Sequence, residues 1–354
     1  MHRSVLVSLF LMCAFTVSVH AQTVKTSWGG PADRIYDSGF MHMLKKASGG
    51  GVELFNMELV QNDAPGSGAS EKGVSTDTIF GRTRARKVLM IDDPRAEKAW
   101  LVLFTIHQGK YPLQFTVNGQ PAKMNTWDGS KNQEVYRWAE FPASALKKGR
   151  NVIDLYCPEA ANPQEGWEIY IARADEFEQG GGNPADVGKT SFKSSDGGES
   201  WKESPFGPLG QTRAEYTVRI SLDRYVPTGW LASPVIDLWK GDSTDPVIPQ
   251  REIQKMKLAI RAEVPEGTKI EYFMRKGSDP NPFSQTWEQY QFVGGGASLD
   301  YETGGADLNR RYVQFRAVLS TTNPLKSPVV KSAAVDAELI QRVPLYKNIH
   351  MVTT

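Results

Sequence analysis

Cysteine is nearly absent from this 354-residue chain, which contains only Cys13 and Cys157. Cys13 lies in an apolar segment at the start of the chain that is predicted to be removed on export, so one thiol remains. A single cysteine forms neither an intrachain disulfide nor a cysteine metal cluster. The mature chain is therefore expected to fold without an intrachain disulfide.

Histidine and net charge are also low. Of the five histidines, His2 and His20 lie in the predicted signal segment. The remaining His42, His107 and His350 show no zinc-ligand spacing such as H-E-x-x-H. The formal net charge is +1 and no block of Lys or Arg stands out. Nucleic acid and an anionic membrane surface are therefore not expected partners.

Residues 1–22 have the layout of a cleavable secretory signal peptide. Arg3 supplies the basic start, residues 5–19 are apolar, and Val19-His20-Ala21 is a cleavage pattern before Gln22. A retained membrane anchor is the alternative, but about fifteen apolar residues are fewer than the roughly twenty of a membrane span. The segment predicts export to the periplasm, the cell surface or the medium, with no membrane span in the mature protein.

Short apolar runs recur between turn residues, and helical periodicity is almost absent. This pattern predicts an all-β protein of two antiparallel, jelly-roll-like β-sandwich domains. A Gly- and Pro-rich segment predicts a linker at 179–190, between domains at 23–178 and 191–341. Residues 342–354 form a tail that is either a disordered end or the point where a longer gene product continues.

Two segments between residues 85 and 177 stand out. One is a strand ending in Val117-Asn118-Gly119, and the other is a later run with Phe141-Pro142, Leu146, Gly149 and Asn151-Val152-Ile153. Together they resemble the galactose-binding-like jelly-roll modules found beside bacterial polysaccharide-degrading enzymes. The resemblance implies a β-sandwich, with sugar or calcium bound by loops at one end. It assigns no ligand residue, because the family has no strict binding motif.

Tryptophans near loops are the candidates for carbohydrate binding. An exposed ring offers a flat apolar face on which a sugar stacks, while nearby polar groups bind its hydroxyls. The candidates are Trp127 with Asp128, Trp138, Trp167 with Glu168, and Trp287. The alternative for each tryptophan is a place in the core, where this residue type is often largely buried.

Residues 194–201 match the pattern S-x-D-x-G-x-x-W through Ser194, Asp196, Gly198 and Trp201. The segment resembles the Asp-box of sialidases and other secreted glycan-active proteins. The resemblance implies a structural hairpin, in which the Asp caps the turn and the Trp packs over it. We find a single box and no arginine-rich catalytic pattern, which argues against a sialidase.

The region from residue 230 to residue 330 resembles a β-sandwich module of exported bacterial proteins with carbohydrate-related neighbours. Its residues 312–319 alternate, so that one face is predicted to be core and the other wet or functional. Tyr272, Arg275, Trp287 and Arg316 are candidates for lining a polar concavity here. Solvation of an outer sheet face is the alternative explanation.

Carboxylates are plentiful, but no spacing singles out the acid–base pair that glycoside hydrolysis needs. Asp92 and Asp93 precede Pro94 and are candidates either for a structural calcium site or for a turn. No G-x-S-x-G elbow, phosphate loop or dinucleotide fingerprint occurs. No cofactor other than this calcium is expected.

These features lead to three hypotheses. The first is an exported carbohydrate-binding or accessory protein of bacterial polysaccharide utilisation, with a polysaccharide or oligosaccharide as partner. The second is a polysaccharide-degrading enzyme, a glycoside hydrolase or lyase, with its catalytic domain within the chain or beyond Thr354. The third is a structural cell-surface protein. In each case the chain is a candidate member of a larger enzyme or surface assembly.

Overall fold

The computed structural model describes residues 19–62, 76–128, 135–174, 176, 183–203, 205–207, 210–245, 250–304 and 310–344. These residues are mainly antiparallel strands, which confirms the all-β prediction. Helical structure includes α1 (Ala32–Ser38) and 3₁₀ turns at Ala143–Ala145, Pro163–Glu165 and Pro184–Asp186. No helix among the described residues is both long enough and apolar enough to cross a membrane.

The chain divides into two compact units, and each is discontinuous in sequence. Of the described residues, unit 1 contains 19–53, 228–320 and 328–344, and unit 2 contains 54–227 and 321–327. Residues 1–18 of the predicted signal segment and 345–354 of the predicted tail lie outside the described residues.

Unit 1 contains two six-stranded sheets, with strands numbered along the chain. Sheet A consists of β1 (Val19–Pro31), β3 (Leu44–Lys46), β4 (Val52–Leu54), β20 (Arg251–Glu263), β23 (Ser298–Gly304) and β25 (Val329–Pro344). Sheet B consists of β2 (Phe40–His42), β18 (Thr228–Ala232), β19 (Ile236–Asp237), β21 (Thr268–Gly277), β22 (Gln291–Gly295) and β24 (Tyr312–Thr321).

The two sheets of unit 1 pack on each other through alternate residues. Trp28 of β1 contacts Phe315 of β24 edge to face, with ring centroids 6.0 Å apart. Val313, Phe315 and Ala317 are all buried, as the alternation in residues 312–319 predicts. The outer face of sheet A is covered instead by cross-strand ion pairs, such as Lys255–Glu302 at 2.7 Å. Its chemistry is that of a solvated surface.

Unit 2 also contains two sheets. Sheet C has the order β10 (Gln120–Met124), β9 (Leu113–Val117), β12 (Gly149–Tyr156), β7 (Arg84–Ile91), β14 (Ser191–Ser194) and β15 (Lys202–Glu203). Sheet D contains β5 (Met57–Val60), β6 (Thr76–Ile79), β8 (Ala99–His107), β11 (Val135–Phe141), β13 (Trp167–Arg173), β16 (Ala214–Tyr216) and β17 (Val218–Asp223). One apolar cluster contains residues of both sheets, including Phe115 and Leu155 of sheet C and Leu101 and Ile169 of sheet D.

The predicted domain boundary differs from the boundary between the units. Residues 183–190 of the predicted linker belong to unit 2, and 179–182 lie outside the described residues. Strands that follow the predicted linker pair with strands that precede it: β14 pairs with β7, β16 with β13, and β17 with β8. The Gly-rich segment therefore joins strands within one unit, because local composition does not report which distant strands pair.

The residues that resemble the jelly-roll modules form a network of amide hydrogen bonds. Asn118 and Gly119 connect β9 to β10 with φ of 51° and 85°, the conformation for which Asn-Gly is favoured in tight hairpins. The Asn118 side-chain amide donates to Asn151 Oδ1 at 2.8 Å. Asn151, which is fully buried, also donates to the carbonyls of Lys147 and Gly149. The phrase is thus a structural brace between β9 and β12.

Replacing Asn151 with Ala is expected to lower the free energy of unfolding by about 2–3 kcal/mol, because the several hydrogen bonds of this buried side chain are lost at once. Urea denaturation followed by tryptophan fluorescence measures the change. Gln120→Ala, an exposed change two residues after Asn118, is the control. Equal midpoints for the two variants would contradict a bracing role.

A buried ion pair joins three strands of unit 2. Lys87 of β7 and Glu215 of β16 have side-chain exposures of 0% and 1%, and Lys87 Nζ lies 2.7 Å from Glu215 Oε2. Glu215 Oε1 also accepts from the backbone N–H groups of Gly188 and Thr190 at 2.7 and 3.1 Å. Ser191 of β14 donates its hydroxyl to Glu215 Oε2. The pair is enclosed in the fold, so its role is structural.

Candidate functional site

Aromatic rings and arginines alternate along the outer face of sheet B. The Arg316 guanidinium lies 4.4 Å from the Trp230 ring centroid and 5.9 Å from that of Tyr290. The Arg275 guanidinium lies 4.8 Å from the Tyr290 centroid and 4.9 Å from that of Trp287. We call these five residues the ring ladder. Each ring binds a cation on its face, an arrangement that orders long side chains.

Three of the five residues of the ring ladder, Trp230, Arg275 and Arg316, lie on strands. Ala232 of β18 lies opposite Arg316 of β24, so Trp230, two residues along, is on the same face of the sheet. Arg275 projects from β21. Tyr290 and Trp287 belong to residues 278–290, which connect β21 to β22. The ladder therefore combines regular strand positions with one long connection.

Gln314 holds the connection against the sheet. This side chain is 1% exposed, and its Oε1 accepts from Arg275 Nη2 at 2.6 Å and from the Tyr290 hydroxyl at 2.9 Å. Its amide donates to the Ser233 carbonyl at 2.6 Å. Burial raises the pKa of Tyr290, and the nearby arginines partly oppose this rise. Tyr290 is therefore a neutral hydrogen-bond donor at neutral pH.

Exposed rings surround the ladder. Phe283 and Phe292 are 82% and 61% exposed, and Phe40 is 45% exposed. Phe283 meets Phe40 of β2 with ring centroids 6.4 Å apart, so residues 278–290 reach across sheet B. His42 stacks on Trp230 at 6.4 Å. We call the ring ladder, together with these four residues, the aromatic face.

The candidate tryptophans of unit 2 have different environments. Trp167 is fully buried and donates Nε1–H to the Tyr111 carbonyl at 2.8 Å. Its ring offers no face to solvent, so the carbohydrate-binding prediction for Trp167 does not hold. Trp127 is half-buried between the Trp167 ring, at 5.9 Å, and the Arg137 guanidinium, at 3.8 Å. Trp138 is 48% exposed beside Tyr136, which is 40% exposed.

The acidic neighbours of those tryptophans do not form one site. Asp128 is exposed, and Glu168 is half-buried on β13, where it lies opposite His107. Trp287, the remaining candidate, belongs to unit 1. The structure thus brings Trp127 and Trp167 together and leaves Trp138 on a separate surface of unit 2.

The structure brings together three of the four residues that were predicted to line a concavity in unit 1. Arg275, Trp287 and Arg316 belong to the ring ladder, whereas Tyr272 is buried in the core and donates to the Gly296 carbonyl at 2.8 Å. Tyr272 and Arg275 are three positions apart on β21, so their side chains point to opposite faces of the sheet, and the Tyr272 ring lies on the inner face. Burial raises the pKa of Tyr272 to about 12.

Several residues of the aromatic face were not among the sequence candidates: Phe40, His42, Trp230, Phe283, Tyr290 and Phe292. The density of aromatic residues between 283 and 292 is the available signal. Four of these ten positions are aromatic, in a segment bounded by turn residues, and such density is unusual for an exposed connection.

Residues 194–201 form the turn between β14 and β15. Asp196 Oδ1 accepts from the Ser194 hydroxyl at 2.7 Å and from the Ser200 N–H at 3.0 Å. Hydrogen bonds from Ser200, then from Ser194, hold the pKa of Asp196 below its ordinary value. Trp201 lies under the Arg86 guanidinium at 3.9 Å. The hairpin therefore has the internal capping that its sequence pattern implies.

The acidic pair before Pro94 is tied to arginine. Asp93 accepts from Arg95 Nη2 at 2.6 Å and from Arg95 Nε at 3.0 Å. These hydrogen bonds lower the pKa of Asp93. Within the described ranges, no group of three or more His, Cys, Asp or Glu side chains is arranged to hold a metal ion. Calcium at Asp92 and Asp93 stays a prediction, and it would have to displace Arg95.

Comparison with known proteins gives no family. No protein-family model matches the chain, and no curated protein matches it. Among solved structures, infectious bursal disease virus, Gx strain, is 8% identical with a TM-score of 0.19, over 95% of this chain and 78% of that chain. Pleurotus ostreatus lectin in its apo form is 10% identical with a TM-score of 0.19, over 83% and 88%.

Dimeric latent PorU from Porphyromonas gingivalis is 8% identical with a TM-score of 0.19, over 90% of this chain and 33% of that chain. Likenesses with such scores carry no argument about function. The fold and the site define an all-β protein of two units, one of which carries an exposed aromatic surface.

Proposed function

We propose that the chain is an exported carbohydrate-binding protein of bacterial polysaccharide utilisation and that the aromatic face of unit 1 is its binding surface. The observation that carries the proposal is the exposure of Phe283 and Phe292, at 82% and 61%. Rings that are this exposed bury apolar surface when a ligand with flat C–H faces, such as a sugar, stacks on them. Nearby polar groups can then bind the hydroxyls of that ligand.

The surroundings of these rings support binding of such a ligand. Arg275 Nη2 donates to the Pro282 carbonyl at 3.1 Å, and Trp287 Nε1 donates to the Asn281 carbonyl at 2.8 Å. The two residues before Phe283 are thereby held in place. A ring that projects from a held backbone loses less conformational entropy when a ligand binds, which favours affinity.

Carboxylates near the aromatic face favour binding over hydrolysis. Glu288 pairs with Arg310 at 3.2 Å, and Glu271 pairs with Lys269 at 2.7 Å. A glycoside hydrolase needs one carboxyl group that donates a proton and a second that acts as base or nucleophile. Each of these two carboxylates faces a basic side chain instead of a second carboxyl group. A polysaccharide-degrading activity therefore finds less support here than recognition does.

Replacing both Phe283 and Phe292 with Ala is expected to weaken glycan binding about tenfold or more, because each lost stacking ring is worth roughly 1–2 kcal/mol. Since both rings are mostly exposed, the thermal unfolding midpoint should stay unchanged. Affinity electrophoresis and calorimetry against plant, algal and host glycans measure binding.

Trp138→Ala is the matched control, because it removes an exposed ring from unit 2. Binding lost in Trp138→Ala and kept in the double variant would move the site to unit 2. A folded protein that binds no glycan of the panel would overturn the proposal as a whole.

A further inference from the structure

Arg316 has an unusual position in the ring ladder. Its guanidinium lies between the rings of Trp230 and Tyr290, at 4.4 and 5.9 Å. Its Nε is buried and has no hydrogen-bond partner in the structure. Stacking occupies the faces of the guanidinium, whereas its N–H groups point along the edges. The guanidinium of Arg316 is thus held in a fixed place, and at least its Nε–H donor has no hydrogen-bond partner.

Arg311, the residue immediately before the same strand, is a stacked arginine that also has a carboxylate partner. Its guanidinium lies 4.5 Å from the Trp239 ring centroid and 5.2 Å from that of Tyr312. Its Nε and Nη2 donate to the two carboxylate oxygens of Asp237 at 2.8 and 2.5 Å. Such a fork-to-fork pair is the preferred partner of guanidinium. Among the described residues, Arg316 has stacking rings like those of Arg311 but no ion pair.

The charge of Arg275 is not neutralised by a carboxylate among the described residues either. Its hydrogen bonds go to Gln314 Oε1 and to the Pro282 carbonyl, which are neutral acceptors. The nearby Glu288 lies between two other cations, at 3.2 Å from Arg310 and 3.8 Å from Lys276. The described part of the ladder therefore carries a surplus of positive charge on an apolar, aromatic surface.

From this geometry we propose that the ligand of the aromatic face is an anionic glycan, whose carboxylate or sulfate group accepts hydrogen bonds from the guanidinium of Arg316. The sugar ring stacks on the exposed phenylalanines while the anion completes the fork. This inference rests on the proposed function and adds the chemical class of the ligand. Planar or tripodal oxyanions suit the guanidinium fork, and the surplus charge attracts them.

The test uses pairs of polymers that share a backbone, of which one is anionic and the other neutral. Polygalacturonate is compared with its methyl ester, and dextran sulfate with dextran, so the two arms separate carboxylate from sulfate recognition. Arg316→Met keeps an unbranched stem between the rings and removes the fork. We expect affinity for the preferred anionic polymer to fall about tenfold or more in this variant, and affinity for its neutral partner to fall clearly less.

Two further variants separate the fork from general attraction. Arg316→Lys keeps the charge without the fork and should bind at an intermediate level. Lys255→Met removes one positive charge from the outer face of sheet A, where Lys255 pairs with Glu302, and should bind as the unchanged protein does. Rising salt should weaken anionic binding more in the unchanged protein than in Arg316→Met.

The outcomes distinguish the two proposals. Equal affinity for charged and neutral polymers, or an equal loss in Lys255→Met and Arg316→Met, would overturn the anionic class and leave carbohydrate binding intact. Failure to bind any polymer, with the circular dichroism spectrum and unfolding midpoint unchanged, would overturn both. A loss in Arg316→Met that is clearly larger for the anionic polymer than for its neutral partner supports the inference.

Discussion

Replacing Lys87 with Met is expected to lower the free energy of unfolding by about 3–5 kcal/mol, because it leaves a buried carboxylate without its counter-charge. Lys87 is fully buried and lies 2.7 Å from Glu215 Oε2. Met fills most of the volume of Lys, so the lost stability comes mainly from the missing charge and only in small part from poorer packing. Guanidinium denaturation followed by tryptophan fluorescence measures it.

Lys255→Met is the control. It breaks an exposed ion pair with Glu302, and the free energy of unfolding should not change measurably. The double variant Lys87→Met/Glu215→Leu should regain part of the stability lost in Lys87→Met, since no charge is then left uncompensated. A Lys87→Met loss as small as that of the control would show that the buried pair contributes little.

The same pair predicts a loss of stability in acid. Burial by itself raises the pKa of Glu215, but Lys87 and the surrounding hydrogen bonds outweigh burial and hold the pKa below its ordinary value of 4.5. A lowered folded-state pKa stabilises the protein above the unfolded value, and this contribution is lost as pH falls through the folded value. Glu215→Gln should therefore flatten the decline of the urea midpoint below pH 4.5.

Gly277→Ala is expected to destabilise unit 1 by about 3 kcal/mol. A Cβ at this position would lie 2.4 Å from two ring carbons of Trp287, far inside contact distance. The indole must move, which exposes apolar area and removes the end of the ring ladder. The unfolding midpoint and the affinity for the glycan ligand should both fall.

Gly49→Ala is the matched control, because open space surrounds that glycine. The double variant Gly277→Ala/Trp287→Ala should lose less stability than the two single variants lose together, because the ring that the added methyl group would displace is already gone. Strict additivity would mean that the two positions do not interact.

Strand faces were the part of this fold that local sequence could predict. In residues 312–319, Val313 and Phe315 face the core as their alternation indicates, because neighbouring side chains point to opposite faces of a strand. Gln314 breaks the pattern, since this polar residue on the outer face is 1% exposed. Tyr290 and Arg275 donate hydrogen bonds to it there. Both residues come from β21 and the connection that follows it, and the sequence of β24 does not show that these segments pack against it.

Exposure of tryptophan was the part that local sequence could not predict. Trp138 and Trp167 both lie in strands of sheet D, each next to polar neighbours. Trp138 is 48% exposed and Trp167 is fully buried. Trp167 packs against Trp127 and donates to Tyr111, residues 40 and 56 positions away in the chain. Contacts of that range determine which ring is free for a ligand.

Lys87 shows the same limit for charge. In the strand Arg84–Ile91 it is one of three basic residues at alternate or adjacent positions, and its sequence gives no sign of burial. Its partner Glu215 is 128 residues away. A local sequence pattern cannot distinguish a solvated lysine from one with a distant buried counter-ion.

The strand β25 determines the order in which the chain can fold during synthesis. It pairs with β1, β4 and β20, yet it is the last strand of the described chain. Sheet A therefore stays without its central member until the ribosome has passed residue 344, whereas all strands of sheets C and D have been made by residue 223. The strands of unit 2 can therefore pair while unit 1 is still being translated, and a fragment ending at Thr321 would keep the strands of sheet B but leave β1 and β20 unjoined.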